Sequence, residues 1–154
     1  EAVDAVNEHQ KTVIAEKIER RFGEQLPGKT VAIWGLSFKP NTDDVREAPS
    51  LVLIDRMLKL DANVVVYDPV ATENVRSTYG DKLTYVTNPR DALSEAHALA
   101  IMTEWAEFRT PNFSLMKSTM ASPVIFDGRN LYDPDHLKAE GFEYHSIGRP
   151  AVMP

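Results

Sequence analysis

Cysteine is absent from the 154 residues. That removes disulfides, thiolate metal sites and thiol nucleophiles. Long apolar runs are absent too: none approaches the roughly 20 residues needed to span a bilayer. The opening EAVDAVNEHQ is acidic and has no apolar segment of the kind a secretory leader carries. A surplus of positive charge is also lacking. Seventeen Lys and Arg stand against 23 Asp and Glu, a formal net charge of -6. That argues against non-specific nucleic-acid binding, although it permits a local basic pocket. The four histidines, His9, His97, His136 and His145, show no metal-ligand spacing. Neither G-x-S-x-G nor a Walker sequence occurs. A cytoplasmic protein is the simplest expectation. The first residue is Glu1 rather than methionine, which suggests a piece of something longer.

With 43% hydrophobic residues, the chain can build one sizeable core, about one domain's worth. Its pattern alternates between helix and strand. Val3, Val6, Val13, Ile14, Ile18 and Phe22 recur at three- and four-residue steps, predicting a helix over residues 1–22 that Gly23 stops. Short apolar runs follow at 31–34, 63–67, 83–87, 97–103, 123–126 and 142–147. Between them lie helical stretches at 49–60, 72–79, 89–96, 111–120 and 132–140. This predicts a Rossmann-like, doubly wound parallel sheet of about six strands in the order 3-2-1-4-5-6, preceded by an amphipathic N-terminal helix. The two-proline tail 148–154 is expected to be loosely held.

The stretch that organises the chain is 30–50, TVAIWGLSFKPNTDDVREAPS. A buried strand ends at Gly35, where a dinucleotide fold would carry G-x-G-x-x-G. Only Gly35 is present, so the backbone cannot hug a pyrophosphate. Pro40 disfavours helix at Lys39 and keeps the loop extended. Asn41, Thr42, Asp43 and Asp44 form turns, and Pro49 suits the first turn of the next helix. Any phosphate here would be held by side-chain charge, chiefly Lys39. The alternative is that Lys39 and Arg46 pair with Asp43, Asp44 or Glu47 and do nothing else. Asp68 lies 33 residues after Gly35, beyond the roughly 20 of a ribose-binding acid, so turn formation or capping is the expected role. Asp43-Asp44 is likewise expected in turns rather than as a catalytic pair, and Arg20-Arg21 as a solvated helix end. In the predicted topology the loops carrying Phe38-Lys39, Thr103-Glu104-Trp105 and Arg129 converge on one cleft. Trp105 and Phe108 could wall it or lie in the core beneath it.

Gly35–Ser50, GLSFKPNTDDVREAPS, resembles the opening of the C-terminal domain in the UDP-glucose/GDP-mannose dehydrogenase family. Val66–Ala71, VYDPVA, and Phe126–Asn130, FDGRN, fit the same pattern. The likeness runs from the N-terminal helix to about Pro150. The family oxidises a sugar C6 alcohol to a carboxylate in two steps, reducing two NAD, with a cysteine that forms a thiohemiacetal and then a thioester. Because this chain has no cysteine, the resemblance implies no catalytic residue here and no dehydrogenase activity from the chain alone. It implies a nucleotide-sugar-binding C-terminal domain over 23–154. Residues 1–22 would be the end of the helix that links the two halves and packs in a homodimer; packing on its own domain is the alternative. Phe38 and Lys39 match positions that contact the sugar nucleotide. Arg129 matches a substrate-binding arginine. Arg46 matches an arginine that reaches NAD, held mainly by an N-terminal NAD-binding domain. The implied ligand is a UDP-sugar, with neither nucleic acid nor membrane as partner. Within the family the wording is most similar to members acting on UDP-glucose. GDP-mannose or UDP-N-acetyl sugars, a stand-alone nucleotide-binding module and a purely structural dimerisation domain stay open.

Overall fold

Central strands of a parallel sheet are covered on both faces and therefore read as continuous apolar runs. Three such runs, β1 (Thr30–Trp34), β4 (Ala98–Ile101) and β5 (Val124–Asp127), are buried almost throughout. They form the middle of a six-stranded parallel sheet with β2 (Asn63–Tyr67), β3 (Thr84–Tyr85) and β6 (Glu143–His145). This is a computed structural model that describes the backbone of residues 2–154 and the side chains of residues 11–154. The strand order is β3-β2-β1-β4-β5-β6, as the alternation predicts. β1 and β4 are neighbours, with Val31 opposite Ala98 and Trp34 opposite Ile101. The crossover between them makes the carboxyl end of this pair the switch point of the sheet.

Alternate strand residues point to opposite faces. Val31, Ile33, Ala98, Ala100, Val124 and Phe126 face one core, covered by Ile14, Ile18 and Phe22 of α1 (Ala2–Phe22) and by Leu53, Ile54 and Met57 of α2 (Pro49–Lys59). Ala32, Trp34, Leu99, Ile101 and Ile125 face the other, with Phe108, Met116 and Tyr144. Pro49 opens α2, where its missing N–H leaves no partner unsatisfied. The remaining helices are α3 (Thr72–Tyr79), α4 (Phe113–Thr119) and α5 (Pro134–Ala139).

Several local expectations are corrected. The helix expected at 89–96 is only a 3-10 turn, Asp91–Leu93: Asn88 closes a side-chain turn onto the Arg90 N–H, and Glu95 sits at φ 61°. β3 shrinks to two residues at the sheet edge, where pairing on one side alone holds it. The tail is not loose, because Val152 exchanges two backbone hydrogen bonds with Tyr144. Arg21 is not merely solvated: its guanidinium donates to both carboxylate oxygens of Glu143, at 2.6 and 3.0 Å. Of the α1 positions, Ile14, Ile18 and Phe22 are buried on the chain's own core, while Val13 is only half-buried. Val3, Val6 and His9 lie outside the described side chains. Among the described residues no helix is long and apolar enough to cross a membrane.

Candidate functional site

The loop after β1 begins with a residue that only glycine can be. Gly35 has φ 94°, and a Cβ there would lie 2.5 Å from the Thr103 Cβ. The close approach lets the loops after β1 and β4 run side by side, and the Thr103 hydroxyl donates to the Ser37 carbonyl at 2.7 Å. The next two amides, Leu36 and Ser37, donate to Asp68 Oδ2 at 2.7 and 3.4 Å. Asp68 Oδ1 accepts from Val70 and Ala71 at 2.9 and 2.8 Å. Asp68 thus makes the local turn expected of it and also bridges two loops. The first amides after β1, which a dinucleotide fold turns toward phosphate, are occupied by an internal carboxylate. These two amides are therefore not free for an external anion.

Beyond Ser37 the loop bulges outward. Phe38 is 47% exposed, although its N–H donates to the Asp44 carbonyl at 3.0 Å. Asn41 and Glu47 take left-handed backbone conformations, φ 67° and 60°, which cost non-glycine residues of order 1 kcal/mol each. The loop distributes its charges unequally. Arg46 binds Asp44 through two hydrogen bonds, and these, with the Arg46 N–H, push the Asp44 carboxyl down to about 2. Glu47 pairs with Lys11 of α1, which holds its carboxyl below the usual range. Lys39 makes no ion pair among the described residues.

From the other side comes the loop after β5. Asp127 is fully buried and accepts from the Arg129 and Leu131 N–H groups at 2.9 and 2.7 Å. A Cβ on Gly128 would meet the Ile101 carbonyl at 3.1 Å and Ile14 at 3.3 Å, so glycine lets α1 press close to this turn. Arg129 is carried to the β1 loop, where Nη2 donates to the Phe38 carbonyl at 2.7 Å. Its Nε lies 3.4 Å from Glu104 Oε1. Phe38, Glu104 and Arg129 therefore meet, as the topology predicts. Phe108 is core, stacked on Trp34 with ring centroids 5.0 Å apart; Trp105 is half-buried against the same cluster. Three buried polar atoms, Glu104 Oε1, Trp105 Nε1 and Arg129 Nε, have no hydrogen-bond partner among the described residues.

A cleft of about 470 Å³ opens between these loops, lined by Lys11, Ile14, Phe38, Glu47, Met102 and Arg129 among others. A smaller one of about 190 Å³, beside Lys39 and Arg46, shares Phe38 and Glu47. The larger cleft combines an apolar wall with two cations, Lys11 and Arg129, each ion-paired to a carboxylate, Glu47 and Glu104. Lys11 and Ile14 were not legible as site residues, because their periodicity says only that the helix has a buried face. Among the described residues no group of three or more His, Asp or Glu could hold a metal ion.

The sequence profile of the UDP-glucose/GDP-mannose dehydrogenase family, UDP binding domain, matches residues 32–134. The chain is 44% identical over 154 residues to a UDP-glucose 6-dehydrogenase of Pseudomonas aeruginosa, covering 97% of this chain and 34% of that protein. A UDP-glucose dehydrogenase structure from Pyrobaculum islandicum superposes with a TM-score of 0.81 at 32% identity, over 97% of this chain and 32% of the other. An NDP-N-acetyl-D-galactosaminuronic acid dehydrogenase from Methanosarcina mazei follows with 0.72 at 31%, over 93% and 29%. The chain spans about a third of the length of these relatives. It belongs to the UDP-glucose/GDP-mannose dehydrogenase family and corresponds to that family's UDP binding domain.

Proposed function

We propose that this chain supplies the UDP-binding part of an NAD-dependent UDP-glucose 6-dehydrogenase, which takes UDP-glucose to UDP-glucuronate. The observation that supports it most is the meeting of Arg129 with the Phe38 carbonyl beside Lys39, at the switch point of the sheet. Lys39, unpaired, meets the diphosphate as a point charge, and Arg129 adds a planar fork that can take a phosphate oxygen pair. Phe38 offers an exposed ring to the nucleotide. Trp105 Nε1 is a buried donor with no hydrogen-bond acceptor among the described residues, and Arg129 Nε has only the long ion-pair contact with Glu104 at 3.4 Å; burial makes such groups costly until a ligand with acceptor oxygens satisfies them.

The residues present give NAD no seat of their own. The G-x-G-x-x-G turn is absent and the Leu36 and Ser37 amides are held by Asp68. Arg46, with 87% of its side chain exposed, is the one residue proposed to reach NAD carried on another part of the enzyme. The catalytic cysteine belongs to that part as well. In the same reading residues 1–22 are the end of a linking helix, with half-buried Val13 on the face toward a second subunit, and 23–154 are the nucleotide-sugar domain.

Titrating UDP into the chain while following backbone amide resonances tests the assignment. Shifts should centre on Phe38, Lys39 and Arg129. Shifts confined to other edges of the sheet would refute it. Incubating the chain with UDP-glucose and NAD should yield no NADH.

A further inference from the structure

The two backbone N–H groups that frame Arg129 converge on a single buried carboxylate. Asp127 Oδ1 takes the Arg129 N–H at 2.9 Å, and Oδ2 takes the Leu131 N–H at 2.7 Å. Oδ2 also takes a third donor, the hydroxyl of Tyr144 on β6, at 2.7 Å. Both Asp127 and Tyr144 are fully buried. We infer that Tyr144 is a positioning residue for Arg129, acting through Asp127; its bearing on ligand affinity rests on the UDP site proposed above.

The direction of the Tyr144 hydroxyl follows from its neighbours. Its oxygen lies 2.7 Å from Asp127 Oδ2 and 3.2 Å from the Tyr132 carbonyl. One hydrogen cannot serve both, and the shorter bond to a charged acceptor takes it. Arg149 Nη2 donates to the same hydroxyl oxygen at 3.1 Å, so the lone pair faces the tail and the hydrogen faces the carboxylate. Burial, and then the Asp127 charge, push the Tyr144 phenol well above its ordinary value, which keeps it a donor across the working pH range. A continuous line of polar contacts thus runs from Arg149 through Tyr144 and Asp127 to the backbone of Arg129.

This line has a functional consequence because Asp127 faces the backbone of the turn and leaves the Arg129 guanidinium alone. The guanidinium stays available at the Phe38 carbonyl, 2.7 Å away. A second clamp holds the same turn: Asn130, at φ 53°, gives its side-chain amide to the Ile147 carbonyl and accepts the Ile147 N–H, at 2.9 and 2.8 Å. β6 and the segment after it therefore hold the turn that carries Arg129, and Ile147 of that segment lines the same cleft as Phe38. Without the phenolic donor, Asp127 Oδ2 is left with Leu131 alone and the turn gains freedom.

The test compares the chain with Tyr144→Phe and Arg149→Met, and with Tyr85→Phe as a control that loses a distant phenol, bonded to the Gly80 carbonyl. UDP affinity is measured by calorimetry, and the Arg129 backbone amide and Nε–H resonances by ¹H–¹⁵N spectra. Tyr144→Phe should weaken UDP about three- to tenfold, the effect of one hydrogen bond, and move both Arg129 resonances. Arg149→Met should move them the same way by less, and Tyr85→Phe should change neither. Arg129 resonances that stay in place in Tyr144→Phe overturn the inference. So does UDP affinity unchanged by Tyr144→Phe when the unsubstituted chain binds UDP. A chain that binds no UDP at all overturns the proposed site, while the Arg129 resonances still decide the positioning role. If Tyr144→Phe does not fold, Arg149→Met decides by the same shift.

Discussion

Arg46 grips Asp44 two residues before it, Nε to Oδ1 at 3.0 Å and Nη2 to Oδ2 at 2.9 Å. The pair closes on itself at the tip of the β1 loop and leaves Lys39 as the loop cation without an ion pair among the described residues. Both side chains are solvent-exposed, so the pair adds little to stability; what it sets is the shape of the loop and the protonation of Asp44. With the guanidinium bound, the carboxyl should titrate at about 2. In Arg46→Ala it should return toward about 3.9, the ordinary aspartate value. Side-chain carbon-13 shifts followed across acid pH measure both values, and a carboxyl titrating near 4 in the unsubstituted chain would show that the pair does not persist in solution.

The same division of charge should separate Lys39 from Arg46 in function. Lys39→Ala should weaken UDP binding to the chain by about ten- to a hundredfold, since a charge-assisted bond is worth roughly 1.5–3 kcal/mol. Arg46→Ala should barely change it, because the guanidinium is already committed to Asp44 and is assigned to NAD. In an active enzyme built on this chain, Arg46→Ala should raise the Michaelis constant for NAD and leave that for UDP-glucose nearly unchanged. Equal effects of the two substitutions on both ligands would refute the division.

Much of this arrangement was readable beforehand, for a physical reason. Val31–Trp34, Ala98–Ile101 and Val124–Asp127 are doubly covered strands, and double coverage leaves continuous apolar runs. Alternation with helices then fixes the sheet order, and the order brings the loops of Phe38, Glu104 and Arg129 together. What escaped were polar contacts between segments far apart in sequence. Asp68 reads as a turn former, which it is, yet it also reaches Leu36, 32 residues away. Lys11 meets Glu47 across 36 residues, and Arg21 meets Glu143 across 122; no periodicity encodes such pairs. The helix expected at 89–96 failed because the Asn88 side chain closes a local turn onto the Arg90 N–H, and the left-handed backbone at Glu95 does not continue a helix.

Gly35→Ala should be strongly destabilising. The new methyl would meet Thr103 Cβ at 2.5 Å and its backbone N at 2.7 Å, on a residue already at φ 94°. Strain of this conformation and overpacking together should cost about 2–4 kcal/mol. Thermal melting measures it. Thr103→Ser keeps the Cβ, the hydroxyl oxygen and the backbone N that the new methyl would meet, so it should recover little of the loss in the double variant. Full recovery by Thr103→Ser would show that these contacts are not what destabilises Gly35→Ala.

The Arg21–Glu143 contact should give the fold a weakness in acid. Burial pushes the Glu143 carboxyl up, but hydrogen bonds from Arg21 and His145 outweigh it and leave the carboxyl below its ordinary value. A carboxyl depressed in the folded state contributes stability that is fully present above the unfolded value, about 4.3. That contribution is lost as pH falls through the folded value. The contact ties α1 to β6, the strand that also carries Tyr144. Arg21 keeps 40% of its side chain exposed while Glu143 keeps 11%, so solvent screens the arginine and the carboxylate bears most of the cost when the pair breaks. With that discount, Arg21→Met should cost roughly 1 kcal/mol at neutral pH, or about 2–4 °C in Tm for a chain of this size. The unsubstituted chain should lose Tm as pH drops below about 4, and the difference from Arg21→Met should shrink over the same range, because protonated Glu143 no longer needs the guanidinium. Melting curves between pH 3 and pH 7 for both proteins decide this; parallel curves with a constant offset would mean that Arg21 acts through packing on Phe22, whose ring centroid its guanidinium approaches to 5.0 Å, and not through the carboxylate.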